Sequence, residues 1–205
     1  VTAPIARRPA RLAVCASGQG SNLQALLDAC ATGQLPAAVV LVAVDRAGAP
    51  AIARAEAAQV PLWVEPLADW LASGRSRAAY EVELQRVLVA AEVDLVVLAG
   101  WRQVLSAAFL EPFAGRILNL HPALPGELPG LHAIARAHAE AQRGLRSHSG
   151  VMVHHAIAEV DAGPVVMVEQ VAIDPREPLE AFTARMHAIE HRVLVQALHM
   201  WLASV

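Results

Sequence analysis

The chain contains no lysine; all sixteen of its basic residues are arginine. Without an ε-amine, chemistry through a Schiff-base or pyridoxal-phosphate lysine, or through the lysine of a P-loop, is excluded. Reactive chemistry has to run mainly on His, Asp, Glu, Asn, Arg and the backbone. Cysteine is scarce too. Cys15 and Cys30 stand in apolar surroundings, with no spacing that suggests a disulfide framework or a metal site, as expected of a reducing, cytoplasmic setting. No run approaches the roughly 20 apolar residues of a membrane span. Residues 1–10 carry arginine and proline without the apolar stretch of a secretory signal, and read as a flexible tail ahead of a single domain over 11–205. A net charge of −3 provides no basic field for nucleic acid.

What the chain does have is a series of short apolar blocks. Hydrophobic residues make up 56% of 205, ample for one sizeable core and too little for two comfortable domains. The runs at 12–16, 37–44, 60–64, 93–99, 116–120, 150–155 and 164–168 predict strands. Helical spacing predicts helices over 23–30, 51–59, 75–92, 106–113, 132–143 and 178–202. Strands alternating with helices in this order predict an α/β fold: a mostly parallel central sheet with helices on both faces and a Rossmann-like N-terminal half.

Three stretches carry candidate chemistry. Ser17-Gly18-Gln19-Gly20-Ser21-Asn22 joins the first strand to the first helix, with Ser21 and Gln24 spaced as a capping box. It is either a tight turn that needs glycine or an anion site at a helix N-terminus. Asp45, at the end of the second strand, could suit a dinucleotide ribose, but Leu23 stands where G-x-G-x-x-G needs a third small residue, so that fingerprint is broken. Asn119-Leu120-His121-Pro122-Ala123-Leu124-Pro125-Gly126 ends a strand. Asn119 and His121, two residues apart, point the same way in extended backbone. They serve either turn backbone or a reaction that stabilises an oxyanion and moves a proton. Asp161, on the Gly-Pro loop between two later strands, is a turn former or a site residue. His187-Ala188-Ile189-Glu190-His191 matches an inverted zinc-protease motif, but no acidic residue follows Glu190 to complete a ligand set, so no metal is expected.

Taken together, Ser17 to Ala25, Leu98-Ala99-Gly100-Trp101, Asn119 to Gly126, Glu159-Val160-Asp161-Ala162-Gly163 and Glu190-His191 resemble the folate-dependent phosphoribosylglycinamide formyltransferase family, over nearly the whole chain. The resemblance implies formyl transfer from 10-formyltetrahydrofolate, as co-substrate, to the amine of glycinamide ribonucleotide in purine synthesis. It needs no metal, and a monomer or homodimer is expected. By resemblance, Gly20, Ser21 and Asn22 hold the substrate phosphate, and His187 and Glu190 the rest of the ribonucleotide. Arg77, the turn Arg102, Gln103, Val104 and Leu105, and the loop Ile157, Ala158, Glu159, Val160 and Asp161 bind folate, with Asn119 between the two substrates. Asn119, His121 and Asp161 form the catalytic trio: Asn119 donates to the oxyanion, and Asp161 raises the pKa of a proton-donating His121. The chain departs from common relatives in its Ala123-Leu124-Pro125-Gly126, in Met152 where a hydroxyl is usual, and in His187 where Lys or Gln is usual. The alternatives are a relative acting on another acceptor amine and a non-catalytic Rossmann-type nucleotide-binding module.

Overall fold

The apolar blocks fold as strands whose alternate residues face opposite ways, and the computed structural model, which describes residues 8–204, shows both faces of the central strands covered. The strands are β1 (Ala10–Ala16), β2 (Ala37–Val44), β3 (Leu62–Val64), β4 (Leu95–Leu98), β5 (Ile117–His121), β6 (His148–His155) and β7 (Val165–Ala172). They form one sheet in the order β3-β2-β1-β4-β5-β6-β7. The first five are parallel; β6 and β7 are antiparallel additions. The helices are α1 (Ser21–Ala31), α2 (Pro50–Ala57), α3 (Leu67–Ala72), α4 (Arg77–Ala90), α5 (Ala107–Leu110), α6 (Ala133–Gln142) and α7 (Leu179–Ala203).

The period of two along β1 divides the core. Leu12, Val14 and Ala16 face α1, α2, α6 and α7, whereas Ala13 and Cys15 face Trp70 of α3, Tyr80, Leu84 and Leu88 of α4, and Phe109 of α5. Burial on both faces explains why the parallel strands read as continuous apolar runs. Residues 1–7 of the expected tail lie outside the described residues. Ala10 already opens β1, and Arg8 donates to both carboxylate oxygens of Asp94 at 2.9 Å.

Two local expectations need correction. The helix α3 was not expected from the sequence: Leu67–Ala72 is too short to show a period, and follows Pro66 directly. The capping box at α1 does not form. Gly20, with φ 69°, is the N-cap, and Ser21 is already inside the helix. The Gln24 amide instead donates to Asp28 and accepts from Arg54. The turn closes one residue early because Gly20 lies against α2, where a Cβ would come within 2.9 Å of Ala51.

Candidate active site

A cleft of about 560 Å³ opens at the carboxyl ends of the parallel strands, where β1, β4 and β5 deliver their loops. At one end are Gly20, Ser21 and Asn22 at the start of α1, facing His187 and Glu190 of α7. At the other is the turn Arg102–Leu105 that follows β4. Asn119 and His121 line the middle, with Ile157, Glu159, Val160 and Asp161 closing over them. Of the residues expected at the site, Arg77 and Ala158 do not line the cleft. Arg77 stands behind the 102–105 turn, held by Glu81 at 3.5 Å, and donates to Oε1 of Gln103 at 3.1 Å and to the Val104 carbonyl. It braces the turn from outside.

The three expected catalytic residues do converge. Asp161 Oδ1 accepts from Asn119 Nδ2 at 3.0 Å, and Asp161 Oδ2 lies 3.4 Å from His121 Nδ1. The backbone N–H of Gly130 donates to the same Oδ2 at 2.8 Å. His121 Nε2 faces the carbonyl of Leu128 at 3.1 Å. A fourth residue was not read from the sequence. His154, on β6, is the cross-strand neighbour of Asn119, and its Nε2 lies 3.0 Å from Asn119 Nδ2. His154 Nδ1 lies 2.9 Å from the carbonyl of His155 and must carry the hydrogen, so Nε2 offers a lone pair to the amide. Both amide hydrogens of Asn119 are therefore engaged inside the protein, and donation to a ligand requires one to change partner.

The electrostatics depart from the expected pattern at one point. Burial pushes the His121 imidazole below its ordinary value; the Asp161 carboxylate and the Leu128 carbonyl pull upward and offset only part of it. Burial also acts to raise the Asp161 carboxyl, but the polar groups packed against it, His154, the Gly130 N–H that donates to it and His121, outweigh it and hold Asp161 low. Asp161 is thus kept ionised beside a histidine that gives up its proton readily.

Residues 10–198 match the formyl transferase family. The chain belongs to the formyl transferase family. It is 41% identical over 198 residues to the phosphoribosylglycinamide formyltransferase of Schizosaccharomyces pombe, covering 93% of this chain and 96% of that one. It is 42% identical over 190 residues to the Mycobacterium tuberculosis enzyme of the same name, covering 93% of this chain and 84% of that one. The crystal structure of glycinamide ribonucleotide transformylase 1 from Geobacillus kaustophilus superposes with a TM-score of 0.85 at 40% identity, covering 94% of this chain and 98% of that one.

In this formyl transferase the α1 end of the cleft has the chemistry to attract an anion. An eleven-residue helix with no acidic residue in its first turn points its N-terminus inward, and His187 stands across from it. Glu190 is buried and accepts from Asn22 Nδ2 at 2.9 Å. Burial raises its pKa, only partly offset by Asn22 and His187. The H-x-x-E-H motif is thus absorbed by the cleft. His187 lines it, Glu190 is tied to α1, and burial together with the charges of His187 and Arg54 lowers the pKa of His191. Among the described residues no group of three or more His, Cys, Asp or Glu is placed to hold a metal ion. At the opposite end, Ser17 Oγ accepts from the Arg102 N–H at 3.0 Å, tying the 102–105 turn to β1. Trp101 lines the cleft beside it, and its indole N–H is buried without a partner among the described residues.

Proposed function

We propose that this formyl transferase moves the formyl group of 10-formyltetrahydrofolate to the amine of glycinamide ribonucleotide, a step of purine synthesis. The observation that carries the reading is the convergence of Asn119, His121 and Asp161 midway between an anion-binding helix terminus and a turn that presents backbone groups. The ribonucleotide phosphate sits at Gly20, Ser21 and Asn22 with His187 opposite, and Glu190 holds the ribose or the glycinamide amine. The cleft fits the folate as well. The 102–105 turn, with Ile157, Glu159 and Val160 across from it, forms a slot with backbone edges for a flat heterocycle. Arg77 fixes that turn without touching the ligand. Bound folate would supply the formyl carbon. The 41–42% identity to enzymes named for this reaction, over more than nine-tenths of the chain, supports the same reading.

The protein's own groups divide the work. Asn119 turns one amide hydrogen from His154 or Asp161 toward the formyl oxygen as negative charge develops there. Asp161, held ionised, takes up the proton that the attacking amine loses, directly or through water. His121 takes that proton from Asp161 at Nδ1 and passes it to the departing nitrogen. We further place the protein in the cytoplasm, as a monomer or homodimer built from one domain over 11–205.

The test is loss of 10-formyltetrahydrofolate with the pure protein, with and without glycinamide ribonucleotide. Turnover should require the ribonucleotide and fall on the order of a hundredfold or more in His121→Ala with the fold intact. Formate release without the ribonucleotide would instead point to a hydrolase. Folate binding without turnover would point to another acceptor amine.

A further inference from the structure

Four consecutive residues of the loop after β5 are each anchored to a different part of the molecule. The Glu127 carboxylate pairs with Arg146. The Leu128 carbonyl meets His121 Nε2 at 3.1 Å. The Pro129 carbonyl accepts from Arg136 Nη1 at 2.8 Å. The Gly130 N–H donates to Asp161 Oδ2 at 2.8 Å, the oxygen that His121 Nδ1 faces. The Leu128 and Gly130 bonds close a ring through the His121–Asp161 pair, and the Glu127 and Pro129 bonds tie that ring to arginines.

The Arg146 anchor is a built feature. The Arg146 side chain is only 15% exposed, set between Glu127 and Glu140, and it also donates to the His148 carbonyl at 3.3 Å. Leu128 sits at φ 47°, a left-handed conformation that a leucine holds only when its surroundings impose it. Its side chain is buried, so the strain is fixed from both sides of the carbonyl.

A carbonyl oxygen only accepts, so the nitrogen facing Leu128 must carry a hydrogen. A neutral imidazole has one such hydrogen. Left to choose, it would donate to the stronger acceptor, the Asp161 carboxylate. We propose that Arg146 and Arg136 are positioning residues for His121: by holding the 127–130 backbone they make the Leu128 carbonyl keep the hydrogen on Nε2, so that Nδ1, beside Asp161, is the nitrogen that exchanges its proton. The proposal rests on the proton-transfer role given to His121 above. The groups around the imidazole are Asp161 from the loop after β6, His154 and Met152 of β6, Asn119 of β5, and the carbonyls of Glu127 and Leu128. His132 of the α6 N-terminus and His187 and Glu190 of α7 line the same cleft.

The experiment reads the 15N shifts of the His121 imidazole in the full-length protein, assigned by their loss in His121→Gln. The wild type should show the Nε2–H tautomer when neutral. Arg146→Met should convert it to Nδ1–H and lower kcat by about tenfold, with KM for both substrates within about twofold. Arg146→Lys should restore the wild-type tautomer. Arg136 is exposed, so Arg136→Met strands no buried charge and provides the same readout if Arg146→Met does not fold. Retention of the Nε2–H tautomer in a folded variant of either arginine overturns the proposal. A switch of tautomer with kcat unchanged supports the bracket and overturns the catalytic role of His121.

Discussion

A Cβ on Gly163 would stand 1.8 Å from the carbonyl oxygen of His155. The loop after β6 can double back over the strand only because this position has no side chain, and doubling back is what brings Asp161 to His121 and Asn119. Gly163→Ala should therefore push the loop off β6. We expect kcat to fall on the order of a hundredfold, as for direct loss of a catalytic group, with about 1–3 kcal/mol of stability lost to overpacking. Steady-state kinetics and urea unfolding check it; near-normal kcat in a folded Gly163→Ala would separate Asp161 placement from this contact.

His154 acts on Asn119 through a lone pair, not a charge. His154→Leu removes the acceptor and leaves an amide hydrogen buried without a partner, at about 1–3 kcal/mol of stability. The amide should also wander, lowering kcat by roughly tenfold while KM for either substrate barely moves. A rise in KM alone would place His154 in substrate binding instead.

Glu190 is a buried carboxyl whose pKa lies above its ordinary 4.5. Such a group contributes stability that is full below the ordinary value and lost as pH rises through the folded one. Glu190→Gln keeps an acceptor for Asn22 without that penalty. Its Tm at pH 7.5 should equal or exceed the wild type, while KM for the ribonucleotide rises by about tenfold for one lost charge-assisted bond. Thermal unfolding and a ribonucleotide titration report the two effects separately.

Acid should destabilise the fold through His121 and Asp161 with the same sign. His121 has a folded pKa below its ordinary 6.5, so as pH falls below that value the unfolded chain binds a proton the folded site resists. Asp161, also lowered, contributes stability present above its ordinary 3.8 and lost as pH falls through its folded pKa. The free energy of unfolding, measured by urea at stepped pH, should decline from about pH 6.5 downward. His121→Gln should flatten the upper part of that decline; an unchanged slope would assign it to another group.

The sequence carried the fold further than the site. Apolar blocks located every strand of the sheet; central strands such as β4 are buried on both faces and leave uninterrupted runs, and the apolar run of the edge strand β7 is legible although much of it is exposed. Hidden were features set by pairing. His154 shares a face with Asn119 only through the antiparallel register of β5 and β6, and nothing local in Val153-His154-His155 reports that register. Asn119 and His121 were legible as a pair because i and i+2 share a face on any strand. Asp161, forty residues later, was a loop carboxylate until resemblance joined it to them. The side-chain direction of Arg77 was hidden for a similar reason: its helix position was clear, but Glu81 and Gln103 hold its guanidinium behind the 102–105 turn. For His121, proximity to Asp161 suggested a raised pKa, and only the depth of burial reversed the direction.

The walls of the cleft carry imidazoles, amides, carboxylates and guanidinium groups, but no primary amine, since the sequence has no lysine. A site that handles an activated formyl group is exposed to self-acylation, in which a nearby ε-amine becomes the acceptor and is capped for good. Guanidinium groups remain protonated and are poor nucleophiles at neutral pH. Arg102 can thus provide positive charge at the cleft, and Arg54 and Arg77 can brace the loops behind it, without competing for the one-carbon unit, and the substrate's amine meets no lysine as a rival.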